Sequence, residues 1–155
     1  MRKKTVVQEY HDHLIIIRDY QMYYLFNGHS NKYSRSPYSE YCHPVIRGEL
    51  LHSPIKDIKN ISITLRPDRE IERLLNIDEP QDGEKSLPVG HIKKRKTDLQ
   101  ATLDISINGL ILLNQHLLEG KLPYLALHAH KLRYGNGIIT SYHFSTEYEP
   151  DDYID

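Results

Sequence analysis

The segment 99–108, LQATLDISIN, decides the fold class, because its apolar and polar residues alternate without interruption. Every odd position is Leu, Ala or Ile, and every even position is polar. A period of two places successive side chains on opposite faces of a β-strand, whereas a helix would spread these residues around its axis. The segment therefore predicts a strand with one buried face and one solvated face.

Turn signals on the carboxyl side extend this strand into an antiparallel meander over residues 99–146. Asn108-Gly109 is a dipeptide that favours type I′ hairpin turns, and Tyr134-Gly135-Asn136-Gly137 is a second turn signal. The alternative to the second strand is a short helix that Gly120 ends. The predicted strands are 99–108, 110–118, 121–133 and 138–146.

The first half of the chain predicts shorter strands and one helix. Pro67-Asp68 favours a helix start, and apolar residues at 71, 74 and 75 form a stripe, so a short helix is expected near 68–77. Polar loops are expected over 27–44 and 78–90. We predict a mainly β fold, either a β-sandwich or a partly open antiparallel barrel, in a single domain over residues 1–155. The predicted strands are 5–10, 13–18, 21–26, 45–51 and 60–65.

Composition excludes several classes of protein. Twenty basic and 21 acidic residues give a formal net charge of −1, which argues against general nucleic-acid affinity. No stretch approaches the roughly 20 apolar residues of a membrane helix, so a soluble chain with no membrane partner is expected. The single cysteine, Cys42, excludes an intrachain disulfide and fits the cytoplasm. The acidic tail 147–155 is expected either to dock on a basic partner or to fray.

Motifs for catalysis are missing from the sequence. It contains no phosphate-binding Gly-rich loop, no nucleophile elbow and no paired-cysteine metal signature. Cys42 and His43 are adjacent, but nothing marks a third group that would orient them. No catalytic residue is therefore assigned, and an enzyme is less expected than a binding protein.

Ten histidines include two His-x-His pairs, His11/His13 and His128/His130. Residues two apart in a strand share a face, so each pair can offer two imidazoles to one metal ion. The turn before His143 then sets the third ligand. With Asn136-Gly137 central, His143 faces His130, and with the turn one residue earlier it faces His128.

A cluster of His128, His130 and His143 would suit Zn²⁺, Fe²⁺, Ni²⁺ or Cu²⁺. A metal held on a barrel wall by His-x-His and a later histidine resembles the cupins in outline. The cupin pattern also has a glutamate a few residues after the pair, where this chain has Leu132-Arg133-Tyr134. The arrangement is therefore cupin-like without an assignment to that family, and solvent-facing imidazoles on a polar sheet face are the simpler interpretation.

The segment 20–41 holds six of the twelve tyrosines among Ser, Asn, Gly and Arg. Tyrosine provides a large amphipathic contact area at low entropic cost, and this mixture is typical of binding loops. A surface loop that covers a sheet edge is the alternative interpretation. The candidate partner-binding residues are Tyr23, Tyr24, Tyr33, Tyr38 and Tyr41.

A basic run, Lys93-Lys94-Arg95-Lys96, is a weaker candidate for contact with phosphates. Single-strand binding sites interleave aromatic residues with the charges, and this run contains none. A solvated loop or strand end is the expected role.

The sequence thus favours a small cytoplasmic, non-enzymatic binding or inhibitory module that acts through protein–protein interaction, such as an immunity-, antitoxin- or accessory-type factor. The alternative is a metal-binding cupin-like protein or small metalloenzyme that uses the three histidines. A nucleic-acid-binding accessory protein is the weakest of the three hypotheses.

Overall fold

The structure, a computed structural model, describes residues 7–28, 37–77 and 87–153. Seven strands close into a barrel in the order β1-β2-β3-β5-β4-β7-β6, which confirms the mainly β prediction. β3 and β5 run parallel, and the other neighbouring strands run antiparallel. The elements are β1 (Tyr10–Gly28), β2 (Tyr38–His52), β3 (Asn60–Pro67), α1 (Arg69–Leu75), β4 (Gly90–Arg95), β5 (Asp98–Ile105), α2 (Ile107–Leu118), β6 (Tyr124–His130) and β7 (Asn136–Ser145).

Aliphatic side chains from alternate positions of each strand fill the barrel. Leu99 and Leu103 on β5 are fully buried, so the alternation predicted for this strand is confirmed. A fully buried Leu or Ile stabilises the fold by about 1.5–3 kcal/mol relative to an exposed one. The core residues on the two parallel strands are Ile61, Ile63, Leu65, Leu99, Ala101, Leu103 and Ile105.

The four-stranded meander predicted over 99–146 is wrong, because its second member is the helix α2. Ser106 caps this helix by accepting a hydrogen bond from the Gly109 amide at 2.9 Å, so Asn108-Gly109 lies in a helical turn rather than a hairpin. Leu110 and Leu117, two turns apart, are both buried. The helix carries the chain across the barrel, and β5 therefore pairs with β3 and β4 instead of β6.

The last two strands form the predicted antiparallel hairpin, but their turn lies earlier than expected. Tyr134 and Gly135 are the central residues, with φ values of 51° and 77°, and Arg133 and Asn136 exchange two backbone hydrogen bonds around them. Positive φ at both positions is the geometry of a type I′ turn. The pairing is shifted accordingly, and it places His143 opposite Ala126.

The first half of the chain has fewer and longer elements than predicted. β1 joins the two strands expected over 13–18 and 21–26, and its irregularities near Leu14 and Arg18 allow it to bend. Of the strand expected over 5–10, residues 5 and 6 lie outside the described residues, residues 7–9 are not in a strand, and only Tyr10 belongs to β1. β2 begins at Tyr38, inside the loop expected over 27–44. β4 contains most of the basic run and was not predicted as a strand.

The short helix expected near 68–77 is confirmed as α1. Asp68 caps it by accepting a hydrogen bond from the Glu70 amide at 2.9 Å. Most of the loop expected over 78–90 lies outside the described residues. In the part of the chain that is described, no helix is long and apolar enough to cross a membrane.

The described part of the acidic tail returns to the barrel. A 3₁₀ turn covers Pro150–Tyr153. The Tyr148 ring packs edge-on against Tyr124 at a centroid distance of 4.8 Å, and Tyr153 lies 5.6 Å from His52. These ring contacts hold residues 148–153 against β6 and β2.

Candidate functional site

β1 and β2 continue past the barrel as a two-stranded ribbon. β6 pairs with β1 only as far as Ile16, and β3 pairs with β2 only from Val45 onward. Pairing between β1 and β2 nevertheless runs on to Gly28 and Tyr38. We call residues 21–28 and 38–44 the arm, and no other described strand pairs with it.

The arm carries four of the five tyrosines that the sequence nominated for partner binding. Tyr23 and Tyr24 on β1 are each 59% exposed, and Tyr38 and Tyr41 on β2 are 60% and 52% exposed. Tyr33 lies outside the described residues. The described parts of this segment, residues 21–28 and 38–41, therefore form a ribbon that presents aromatic side chains on both of its faces.

Ring contacts between and along the two strands order these side chains. Phe26 stacks on Tyr38 at a centroid distance of 5.5 Å. Tyr41 stacks on His43 at the same distance, and its hydroxyl lies 2.8 Å from the Nδ1 atom of that histidine. Stacked rings reduce the conformational freedom that would be lost on binding.

One face of the arm borders a groove of about 730 Å³, the arm groove, whose other wall is α2. The arm contributes Met22, Tyr24 and Phe26, and the helix contributes Ile107 and Ile111. Large apolar side chains on both walls suit the burial of a partner's apolar residues.

A partly buried hydrogen bond joins the base of the arm to α2. The Tyr20 hydroxyl donates to Asn114 Oδ1 at 2.8 Å. Burial, with a smaller contribution from Cys42, raises the pKa of Tyr20 to about 12, so the phenol stays neutral and remains a donor. The position of the arm relative to the helix is thereby set before any partner arrives.

The outer side of α2 continues the apolar surface beyond the arm groove. Ile111 and Leu112 are 67% and 72% exposed on its first two turns. A second groove of about 940 Å³ lies between α2 and α1, with Leu74 and Leu113 on its walls. Large exposed apolar patches on a protein usually mark sites of interaction with other molecules.

The three histidines nominated for metal binding do not converge. His143 lies opposite Ala126, so its predicted pairing with His128 or His130 is wrong. His130 is four residues along β6 from Ala126, about 13 Å of strand. Among the residues that the structure describes, no group of three or more His, Cys, Asp or Glu side chains is placed to hold a metal ion. Metal binding by these histidines stays a prediction.

His128 has a different set of neighbours, supplied by β1. Its Nδ1 atom lies 2.5 Å from Asp12 Oδ1, and its ring stacks on Tyr10 at 4.8 Å. His128 and His143 both border a small cavity of about 240 Å³ beside Tyr153. Sequence reasoning missed Asp12, because pairing between β1 and β6 brings together residues 116 positions apart.

The other His-x-His pair contributes a buried histidine to the barrel interior. His13 is fully buried, and its Nδ1 atom lies 2.9 Å from Ser53 Oγ. The His11 ring is 6.3 Å away, and one buried nitrogen of each ring has no hydrogen-bond partner among the described residues. Burial, reinforced by the charge of His11, lowers the pKa of His13 to about 4, so this imidazole is neutral near pH 7.

The basic run does not form a single patch. Lys93, Lys94 and Arg95 lie on β4, and Lys96 follows in the turn to β5 with a φ of 50°. Alternation along the strand places Lys94 on the side opposite its two neighbours, level with the buried Leu99. The charges therefore point in different directions.

Cys42 lies on the arm, where its thiol is half-buried. Its Sγ atom is 3.2 Å from Met22 Sδ. Burial, together with the nearby Glu40 carboxylate, raises the pKa of the thiol. A raised pKa disfavours the thiolate, which is the nucleophilic form of cysteine.

The contribution of α2 to this surface was also missed. Ser106 as a cap and Gly120 after the last turn are the signals that identify the helix, and Gly120 does adopt a φ of 68°.

Comparison with protein-family models, with curated proteins and with solved structures gives no significant match. The arm, the two grooves and α2 are therefore the features from which a function is inferred.

Proposed function

We propose that this protein is a non-enzymatic binding module that acts through protein–protein contact, as an immunity-, antitoxin- or accessory-type factor does. The observation that carries the proposal is the continuous apolar and aromatic surface from the arm across α2. A partner would insert apolar side chains into the arm groove, between Tyr24 and Ile111. Fixed aromatic anchors around a groove are the usual centre of a high-affinity contact.

The charge distribution of this surface also favours a protein partner over a nucleic acid. Among the described residues that line the arm groove, one is acidic and one is basic, Glu40 and Arg69. Nucleic-acid sites concentrate positive charge, whereas the centres of protein interfaces are depleted of charge. A location in the cytoplasm belongs to the same proposal, and the single free cysteine is compatible with it.

Capture of a partner by the full-length chain tests the proposal. Tyr24→Ala and Ile111→Ala each remove an exposed side chain from one wall of the arm groove, and we expect each to weaken partner binding about tenfold or more. Because both side chains are exposed, the free energy of unfolding should change by less than about 0.5 kcal/mol. Calorimetric titration of the purified partner measures the affinity.

Tyr134→Ala is the matched control. Tyr134 is fully exposed in the β6–β7 turn, at the end of β6 that faces away from the arm. The Tyr134→Ala variant should bind the partner as tightly as the unaltered chain does. Recovery of no stoichiometric partner, or of one that binds all three variants equally, contradicts the proposal.

The metal-binding alternative is tested separately. Elemental analysis of protein purified without a histidine tag shows whether the chain carries a metal ion. Thermal melting in the presence of Zn²⁺ or Ni²⁺ shows whether an added metal ion stabilises the fold. Stoichiometric metal that His128→Ala and His143→Ala both abolish would favour a cupin-like metalloprotein. A retardation assay with single-stranded nucleic acid at physiological salt tests the role of Lys93–Lys96.

A further inference from the structure

The β1 strand of the arm has an open edge. On the side opposite β2, its last backbone contact with the barrel is the hydrogen bond from the Ile17 amide to the Pro123 carbonyl, at 2.8 Å. From Arg18 to Gly28 no described strand pairs with that side. Within the part of the chain that the structure describes, the backbone groups on this edge are therefore available to another strand.

Arg18, Asp19 and a strand irregularity lie at the barrel end of this edge, but beyond Asp19 the edge lacks the features that normally protect an edge strand. Residues 20–28, YQMYYLFNG, contain no charged residue and no proline. Segments of high β-propensity, low charge and no proline pair readily with other strands, and natural edges are protected with Lys, Pro or inward charges. The other edge of the arm, residues 38–44, does carry Glu40 and Pro44. The β1 edge over residues 20–28 therefore lacks the charge and the proline that the β2 edge of the arm carries.

We propose that the open β1 edge is a dimer interface, on which a second copy of this chain pairs antiparallel. Identical strands that pair antiparallel are related by a twofold axis, so one contact closes the assembly and leaves no further copy of the edge exposed. Because residues 20–28 are uncharged, self-pairing brings no like charges together. The result is a four-stranded sheet in the order β2-β1-β1-β2.

The exposed side chains along this edge set the largest area that such a contact can bury. Five large side chains on the strand are between 36% and 59% exposed. At 150–250 Å² for a large side chain, they expose about 500 Å² per copy, or about 1,000 Å² for two copies. Specific interfaces begin at about 1,000 Å² in total, so this contact lies at or below that limit and should be weak and reversible. These side chains are Met22, Tyr23, Tyr24, Leu25 and Phe26.

Sedimentation equilibrium of the purified full chain, from micromolar to several hundred micromolar concentration, tests the inference. We expect a reversible dimer with twice the 18.2 kDa mass of one chain. Tyr23→Lys places like charges across the paired β1 strands and should weaken dimerisation at least about tenfold. Tyr41→Lys, an identical change on the same face of β2, is the matched control and should leave the constant nearly unchanged.

Hydrogen exchange supplies a second measurement that is independent of the substitutions. Amides on the open side of residues 21–28 should gain protection as the concentration rises, whereas amides in 38–44 should not. A mass of one chain at every concentration, growth beyond a dimer, or weakening by Tyr41→Lys rather than Tyr23→Lys would overturn the inference. Protection of 21–28 only in the presence of a different protein would also overturn it. Dimerisation requires only this chain and no other protein. If the chain does not dimerise, the partner-binding test with Tyr24→Ala is therefore unaffected.

Discussion

Acidification should destabilise this protein through His13, which the fold holds neutral. Burial is the main cause that lowers its pKa to about 4, the charge of His11 and then that of His52 act in the same direction, and Asp12 opposes them. In the unfolded chain the pKa returns to about 6.5. Between these two pH values the unfolded state binds a proton that the folded state does not. The contribution of His13 to the free energy of unfolding is therefore fully present above pH 6.5 and is lost as the pH falls toward 4.

The size of the loss follows from the two pKa values. A difference of one pKa unit corresponds to about 1.4 kcal/mol, so this group should reduce the free energy of unfolding by about 2 kcal/mol between pH 8 and pH 5. Urea denaturation of the unaltered chain at both pH values measures that loss together with contributions from every other titrating group. A variant without the imidazole isolates the contribution of His13.

His13→Gln should be less stable than the unaltered chain at pH 8 but should lose about 2 kcal/mol less on transfer to pH 5. His13→Leu provides the same comparison if the glutamine variant does not fold. His91→Gln, which removes an exposed histidine from β4, is the control and should keep the original pH dependence. Equal losses for His13→Gln and the unaltered chain would refute the reasoning, as would a His13 ring that titrates above pH 6 by NMR.

Three further substitutions test the packing that supports the binding surface, each by the shift of the urea midpoint. Ser106→Ala removes the cap of α2 and should cost about 1 kcal/mol; no change would mean that the cap is dispensable. Tyr142→Phe removes the hydrogen bond that its hydroxyl donates to the Asp104 carbonyl at 2.7 Å, also at about 1 kcal/mol, and a neutral result would imply that water replaces it. Gly48→Ala places a Cβ atom 2.8 Å from the Ile16 carbonyl oxygen and should cost about 1–3 kcal/mol, whereas a stabilised variant would contradict the tight packing of β1 on β2.

Features encoded within a few residues could be predicted from the sequence. The alternation of 99–105 identified β5, since each of its inward positions is aliphatic. Asp68, acidic residues and an apolar stripe identified α1 in the same way. At Ser106 the local signals conflicted, because a polar cap followed by Ile107 continues the period of two for one further step. The helix was therefore interpreted as a strand.

Pairing between distant residues could not be predicted in this way. Whether β5 pairs with β6 or with β3 depends on the path of α2, which no period of the sequence records. The histidine register depended on whether Tyr134, a non-glycine residue, adopts a positive φ. A shift of the turn by one residue moves every cross-strand pair, so His143 came to lie opposite Ala126.

The arm connects the stability of the fold to the proposed function. An isolated two-stranded ribbon is marginally stable in water, so this one requires support beyond its own pairing. α2 supplies support on one face through the hydrogen bond between Tyr20 and Asn114. The open β1 edge and the solvent-facing Tyr23 have no equivalent support within the described residues. A contact that covers this edge would stabilise the arm and so hold the arm wall of the groove in place against the α2 wall. Dimerisation and partner binding should therefore reinforce each other.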